Sequence, residues 1–294
     1  MGALNYATQY SQALANAFPY VLNFGRLYAT PANGRYRIVD AKTIQIPTIT
    51  TTGRVNADRD TIAVASRNYD NAWEPKTLTH ERKWSTLVHP MDVIQTDMVT
   101  TISNITQTFN EFQKFPEMDA YTISKIYADW TALGKTASTT ALTVDNILEE
   151  FDKMMLAMDN ARVPANGRVL YVTNEINYMI KNAIARQYQN NQPAIGRAVS
   201  RIDEVEIIPV PATLMKSVYD FTQGWKVGTG AAQINMMLVL PEVVLTPVSY
   251  TFAQLEAPSA LSEGKYVYYE ESFEDVFILN QRADGVQFNV TAGA

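Results

Sequence analysis

The sequence predicts an α+β fold built around one long helix, and three observations carry that reading. Apolar residues at Met91, Ile94, Met98, Ile102, Ile105, Phe109 and Phe112 recur every three or four positions, a helical stripe of about six turns. Residues 36–88 carry strand signals, with Ile44 and Ile46 alternating with polar neighbours. Residues 143–187 read as helix, turn, strand, helix, the nucleus of an α+β layer.

Taken in order, residues 1–34 are rich in Ala, Asn, Tyr and Gln and close in the turn Thr30-Pro-Ala-Asn-Gly34. Leu4, Ala7, Ser11, Leu14 and Phe18 line a weak helical face, so the expectation is an arm with a short helix at most. Next comes a two-stranded ribbon, with Ile44 and Ile46 before Gly53 and Ile62 and Val64 after it. Between them only Ile49 and Val55 are large and apolar. Such a ribbon is marginal in water unless something packs on it. Residues 73–88 read as further strand anchored by Leu78, Trp84 and Val88.

The long helix follows, with a break expected at Pro116 and a second stripe of Ile123, Ile126, Tyr127, Trp130 and Leu133. Its outer face is Thr, Ser, Asn and Gln, with almost no charge over 98–110. It reads as a spine with protein on both sides, and Ile102→Asp is expected to prevent folding. Thr143 is placed as the cap of a helix through Val144, Ile147, Phe151, Met154 and Met158, with Asp145 in its first turn. Pro164-Ala-Asn-Gly167 turns into a buried strand over 168–172. Thr173 or Asn174 then caps a helix with Ile176, Ile180 and Ala183 inward. Residues 205–210, 234–240, 266–272, 275–280 and 286–291 complete the strands, the last pair joined around Ala283-Asp-Gly285 as a hairpin.

Composition narrows the function. The chain has 294 residues, 47% of them hydrophobic, enough for a large core. Only 18% are charged, against roughly 25% in an ordinary soluble domain. A sparsely charged surface suits a protein covered by neighbours. The net charge is −6 with no basic block, so electrostatic capture of nucleic acid is not advertised. Cysteine is absent, which removes disulfides and thiolate metal sites. No secretory signal opens the chain and no apolar run reaches membrane length, so a soluble protein is expected.

No motif for chemistry is complete. Gly134-Lys-Thr136 resembles the end of a phosphate-binding loop, but Asp129 stands where the first Gly belongs and a helix precedes it. Gly228-Thr-Gly230 lacks the third Gly of a dinucleotide fingerprint. His80-Glu81 begins like a zinc-protease motif, but position 84 is Trp. Both histidines, His80 and His89, read as strand-surface residues. Glu270, Glu271, Glu274 and Asp275 form an acidic cluster, which alternation splits between two sheet faces and which reads as solvated or facing another subunit. No enzyme, catalytic residue, metal or cofactor emerges.

The order of parts resembles the major capsid proteins of tailed bacteriophages, with the Hong Kong ninety-seven (Johnson) fold. The stretches that carry it are Gln9-Tyr10-Ser11 with Leu14, Ile46-Pro47 leading to Gly53 and Asp58-Arg59-Asp60, and Pro90-Met-Asp-Val-Ile-Gln-Thr96. Pro116-Glu-Met-Asp-Ala-Tyr121 and Val163-Pro-Ala-Asn-Gly-Arg-Val-Leu-Tyr-Val172 complete them. The resemblance implies an N-terminal arm (1–35), an extended E-loop (about 42–68) and spine-helix P-domain (36–138), an α+β A-domain (139–272) and strands returning to the P-domain (273–294).

It implies a subunit that self-assembles as hexamers and pentamers into an icosahedral head shell around double-stranded DNA. Arg54, Asp58, Arg59 and Asp60 at the E-loop tip would touch neighbouring subunits, and Arg59→Glu would impair assembly while sparing the monomer. The implied partners are further copies of the chain, a portal, a separate scaffolding protein (the arm begins at Met1), a decoration protein, and DNA touched without sequence specificity. No membrane is implied, and the subunit would assemble in the host cytoplasm and reside in the virion. Some relatives join an E-loop lysine to a neighbour's asparagine. Here no lysine lies between Thr43 and Glu74, with Lys42 and Lys76 near the loop base, so no such bond is expected. The alternatives are an encapsulin-type nanocompartment shell and another virion protein such as a tail tube.

Overall fold

The computed structural model describes residues 22–40, 42–54, 67–96, 101–187 and 199–291. The arm's described part carries a single short helix, α1 (Gly25–Tyr28), followed by a 3-10 turn over Pro31–Gly34. Phe24, the N-cap of α1, and Leu27 within it are fully buried in the core. The arm is therefore rooted in the core of its own chain. Its candidate helix through Leu4 and Phe18 lies outside the described residues.

Three antiparallel strands form the ribbon: β1 (Arg37–Asp40), β2 (Thr43–Thr51) and β3 (Tyr69–Thr77). Ile44 and Ile46 of β2 are buried with Leu78, Leu245, Phe273 and Phe277. Beyond Pro47 the inward alternation stops, and Ile49, Tyr69 and Trp73 are exposed. The ribbon is thus anchored at its base only. Ile62 and Val64 fall outside the described residues. The continuous strand expected over 73–88 is two strands, β3 and β4 (His80–Val88). The break has a clear cause: Thr79 donates its N–H and its hydroxyl to the Asp275 carboxylate, at 2.8 and 3.1 Å, not to a strand partner.

The spine is assembled from α2 (Pro90–Gln95), α3 (Ile102–Phe109), a π turn over Asn110–Lys114, and α4 (Phe115–Ala132). His89 caps α2 by accepting the Met91 N–H on Nδ1 at 3.1 Å, and Thr101 caps α3. Pro116 does not break the helix. The Phe115 N–H reaches back to the Asn110 carbonyl, a five-residue step, and this widened turn seats Pro116 in the first turn of α4.

Burial corrects the single long stripe. Met91 and Ile94 are exposed, and no residue of α3 is fully buried, Ile102 included. The core-facing part is α4, where Ala120, Ile123, Ile126 and Trp130 are inside. Each such large side chain removed from water contributes about 1.5–3 kcal/mol.

The rest of the chain is a two-faced α/β layer with satellites. It runs α5 (Ile147–Asn160), β5 (Val169–Thr173), α6 (Asn174–Gln187), β6 (Arg201–Ile202), β7 (Val205–Val210), β8 (Tyr219–Asp220) and β9 (Lys226–Val227). Then follow β10 (Ile234–Val239), β11 (Val244–Leu245), β12 (Val248–Glu256), β13 (Tyr266–Glu274), β14 (Phe277–Ile278) and β15 (Val286–Val290). Helix α5 starts later than the Thr143 cap implied. Asn146 holds the Thr143 N–H and the Ala141 carbonyl, closing a turn that leaves Asp145 ahead of the helix.

The main sheet has the order β15-β10-β5-β7-β6, with β5 and β7 parallel and α6 crossing between them. Alternation sorts its side chains. Val169, Tyr171, Met237, Val239 and Phe288 pack on α4, while Leu170, Val172, Met236, Leu238 and Ile207 pack on α5 and α6. A second sheet has the order β12-β13-β4, and β13 runs past residue 272.

Two sequence expectations change here. Strand β12 was not anticipated, although Val248, Tyr250 and Phe252 alternate, because nearly all of it is exposed. The Ala283-Asp-Gly285 hairpin does not form. Residues Asn280–Gly285 make a 3-10 turn, β14 pairs with β11 and β15 with β10. The Leu240 N–H donates to the Gly285 carbonyl, and a Cβ there would stand 2.5 Å from Val243 Cγ2, so only glycine permits the approach.

Candidate subunit interface

A polar and aromatic seam locks the spine, from Phe109 of α3 to Trp130 of α4, to both sheets, and its partners come from distant parts of the chain. Phe109 stacks on Trp84 of β4 with ring centroids 3.9 Å apart, and Lys114 Nζ lies 3.0 Å from Glu270 Oε1 on β13. Arg82 forks onto both oxygens of Glu117 and donates to the Phe221 carbonyl at 2.7 Å. Tyr121 donates to Asp275 Oδ1 at 2.7 Å, and Trp130 Nε1 donates to the Ala283 carbonyl at 3.2 Å. Asp119, wholly buried, accepts from the Asn23 N–H and side-chain amide (each 2.9 Å) and from the Phe24 N–H at 3.1 Å. One helix therefore fixes the arm root, the ribbon base and the sheets relative to one another.

Two titratable groups in this seam are displaced by burial. His80 is not a strand-surface residue. It is buried, stacked on Tyr121 at 3.7 Å, and held neutral with its pKa lowered to about 3 by burial and by nearby Arg82. Glu274 is raised to about 7, chiefly by burial. Lys114 and Arg82 oppose the rise, and Glu117 and Asp275 add to it. The acidic cluster is accordingly not a solvated one. Glu270 and Glu274 face the spine, Asp275 is 2% exposed, and Glu271 on the other face accepts from Tyr269.

Around this centre, large apolar side chains are exposed in several separate places. Ile49, Tyr69 and Trp73 lie on the ribbon, Met91 and Ile94 on α2, Val248, Tyr250, Phe252 and Leu255 on β12, and Leu261 at the tip of the β12–β13 hairpin. Of the expected tip contacts, Arg54 is exposed at the end of the described ribbon, while Asp58, Arg59 and Asp60 lie outside the described residues. No cluster of three or more metal-ligating side chains occurs among the described residues, and no described helix is long and apolar enough to cross a membrane.

What this geometry can do is mechanical. It holds a stiff body from which a ribbon and a hairpin project, each with apolar side chains facing outward.

No protein-family model and no curated protein matches the chain. Solved structures do. The capsid of cyanophage P-SCSP1u is similar over 95% of this chain and 90% of its own, with a TM-score of 0.61 and 11% identity. The mature capsid of bacteriophage PhiM1 matches over 86% and 83%, TM-score 0.60, 10% identity. A structure from Mycobacterium phage Che8 matches over 87% and 86%, TM-score 0.57, 10% identity. The chain has the fold of tailed-phage major capsid proteins, as the sequence resemblance anticipated.

Proposed function

We propose that this chain is the major capsid protein of a tailed bacteriophage, assembling as hexamers and pentamers into the icosahedral shell that encloses double-stranded DNA in the virion. The observation that carries the reading is the likeness to a phage capsid over 95% of the chain. The half-anchored ribbon supports it, because exposed Ile49, Tyr69 and Trp73 make sense when a second copy covers them. Contacts in such a shell are shallow and spread over many edges, which suits the 18% charged content.

In this reading residues 1–35 are the arm, 36–138 the E-loop and P-domain, 139–272 the A-domain, and 273–294 the return strands. The role is structural, not enzymatic, and Arg54, Asp58, Arg59 and Asp60 meet neighbours. A portal, a separate scaffolding protein and a decoration protein are its companions, and DNA is met without sequence preference.

Expression of the chain alone or with its phage's scaffold, followed by sedimentation and electron microscopy, tests the reading. Closed particles or capsomer tubes support it, and a persistent monomer at high concentration overturns it. Because Lys42 and Lys76 sit at the ribbon base, denaturing electrophoresis of particles should show single-subunit bands. A ladder of multimers would disprove the absence of a covalent cross-link.

A further inference from the structure

We propose that neighbouring copies are joined by a knob-and-socket contact: the β12–β13 hairpin tip, headed by Leu261 and Glu263, enters an arginine-rimmed cleft at the base of another copy's ribbon. This rests on the shell reading above and names the partner of one of its surfaces.

The socket is a cleft of about 450 Å³ bounded by the 3-10 turn after α1, strands β2 and β3, and the turn after β14. Its floor is apolar, with Ile46, Trp73 and Leu279. Its rim carries Arg35, Arg37 and Arg282. Lys76 in the same cleft is already neutralised by Glu74 at 3.0 Å. The three guanidiniums have no carboxylate partner among the described residues. Arg37 instead donates to Gln45 and lies 3.9 Å above the Trp73 ring. In a chain of net charge −6, three cations that no described carboxylate neutralises, set around one apolar floor, ask for an acid beside an apolar side chain. A concave cleft of this size admits a side chain or a tight turn. A DNA duplex, about 20 Å across with a minor groove near 6 Å, could touch only its rim.

The knob has that chemistry. Leu261 is 94% exposed, with Glu256 and Glu263 flanking it. Glu263 pairs with Lys265 at 3.2 Å on the exposed surface, so the two carboxylates leave the tip net acidic against that one cation. The tip is stiff. The Gly264 N–H donates to the Ser259 carbonyl at 2.9 Å and the Lys265 N–H to the Ser262 carbonyl at 3.0 Å. Ser259 and Ser262 also exchange N–H-to-hydroxyl bonds at 2.9 and 3.2 Å. A fixed tip loses little entropy on docking. The N-terminal arm does not compete on charge, since residues 1–21 contain no acidic side chain.

Knob and socket cannot meet within one subunit. Strand β13 runs from Tyr266 at the tip to Glu274, next to the Asp275 that holds Thr79 at the ribbon base. Nine residues of strand at about 3.3 Å each put the two features roughly 30 Å apart at opposite ends of one paired sheet. A contact between opposite ends of identical subunits is heterologous, the kind that forms the rings of a shell capsomer when its rotation closes.

The chain's lack of cysteine allows a direct test in assembled particles. Particles of Leu261→Cys/Gln281→Cys, confirmed by sedimentation, are oxidised and run without reductant. Covalent multimers from the pair, with monomer bands from each single variant, are expected. Multimers from Leu261→Cys alone would mean that tips meet tips, and no multimers in intact double-variant particles would mean that the tip docks elsewhere; either overturns the proposal. Glu263→Arg and Arg282→Glu should each lower particle yield about tenfold, and the double exchange should restore it. Loss of packaged DNA with normal assembly in Arg282→Glu would assign the cleft to nucleic acid instead. A wild-type chain that never sediments as particles fails at the shell reading, before any oxidation.

Discussion

Replacing Asp119 with alanine should release the root of the N-terminal arm while leaving the main sheets folded. The wholly buried Asp119 carboxylate accepts at least three N–H groups, two from Asn23 and one from Phe24. Hydrogen bonds to a charged group contribute about 1.5–3 kcal/mol each, and they are not additive when one acceptor serves all three. A loss of about 3–5 kcal/mol in the anchoring of residues 22–28 is therefore expected, out of a total stability of roughly 5–15 kcal/mol. Phe24 and Leu27 still favour the docked position by about 1.5–3 kcal/mol each, so the segment opens more often without leaving permanently. Arg26, now paired with Glu206 at 2.6 Å, supplies the probe. Trypsin should cut after Arg26 about a hundredfold faster in Asp119→Ala, the equivalent of ~3 kcal/mol at 1.4 kcal/mol per decade. Asp119→Asn, which keeps one acceptor oxygen, should fall between. Cutting at the wild-type rate in a cooperatively folded variant would show that the carboxylate does not hold the arm.

Ile123→Asp, at a fully buried position of α4, should abolish soluble folded protein, whereas Ile102→Asp on the partly covered α3 should leave a native circular dichroism spectrum. Gly285→Ala forces a methyl against Val243 and should cost about 1–3 kcal/mol in urea unfolding. Glu274, raised to about 7 from 4.5, is protonated in the folded chain across that window, so its contribution to stability falls as pH rises from 4.5 to 7, by up to about 3 kcal/mol. His80, lowered to about 3 from 6.5, acts oppositely: its contribution falls as pH drops from 6.5 to 3. The two nearly cancel between pH 4.5 and 6.5. Glu274→Gln should thus convert a flat stretch of the stability profile into a rising one and gain stability at pH 8. An unchanged profile would place Glu274 in solvent.

Local periodicity made much of this fold readable in advance. The period of 3.6 over residues 174–187 and the apolar runs at 205–210 and 234–240 are where α6, β7 and β10 form, because a buried strand or amphipathic helix writes its pattern into adjacent residues. The order of parts also pointed to a capsid subunit, whereas composition alone allowed an ordinary globular protein.

The partners of the polar groups were not readable, because pairing depends on positions far apart in the chain. Strand β4 finds β13 nearly two hundred residues later, and Asp275 interrupts the 73–88 strand by capturing Thr79. His80 looked like a surface residue until Tyr121 covered it, and Pro116 looked like a break until a π turn absorbed it. So the sequence by itself determined most of the strands and helices, β12 and the split of 73–88 excepted. Only the tertiary structure decided which faces the chain covers itself and which stay exposed, because burial is settled by contacts between distant segments.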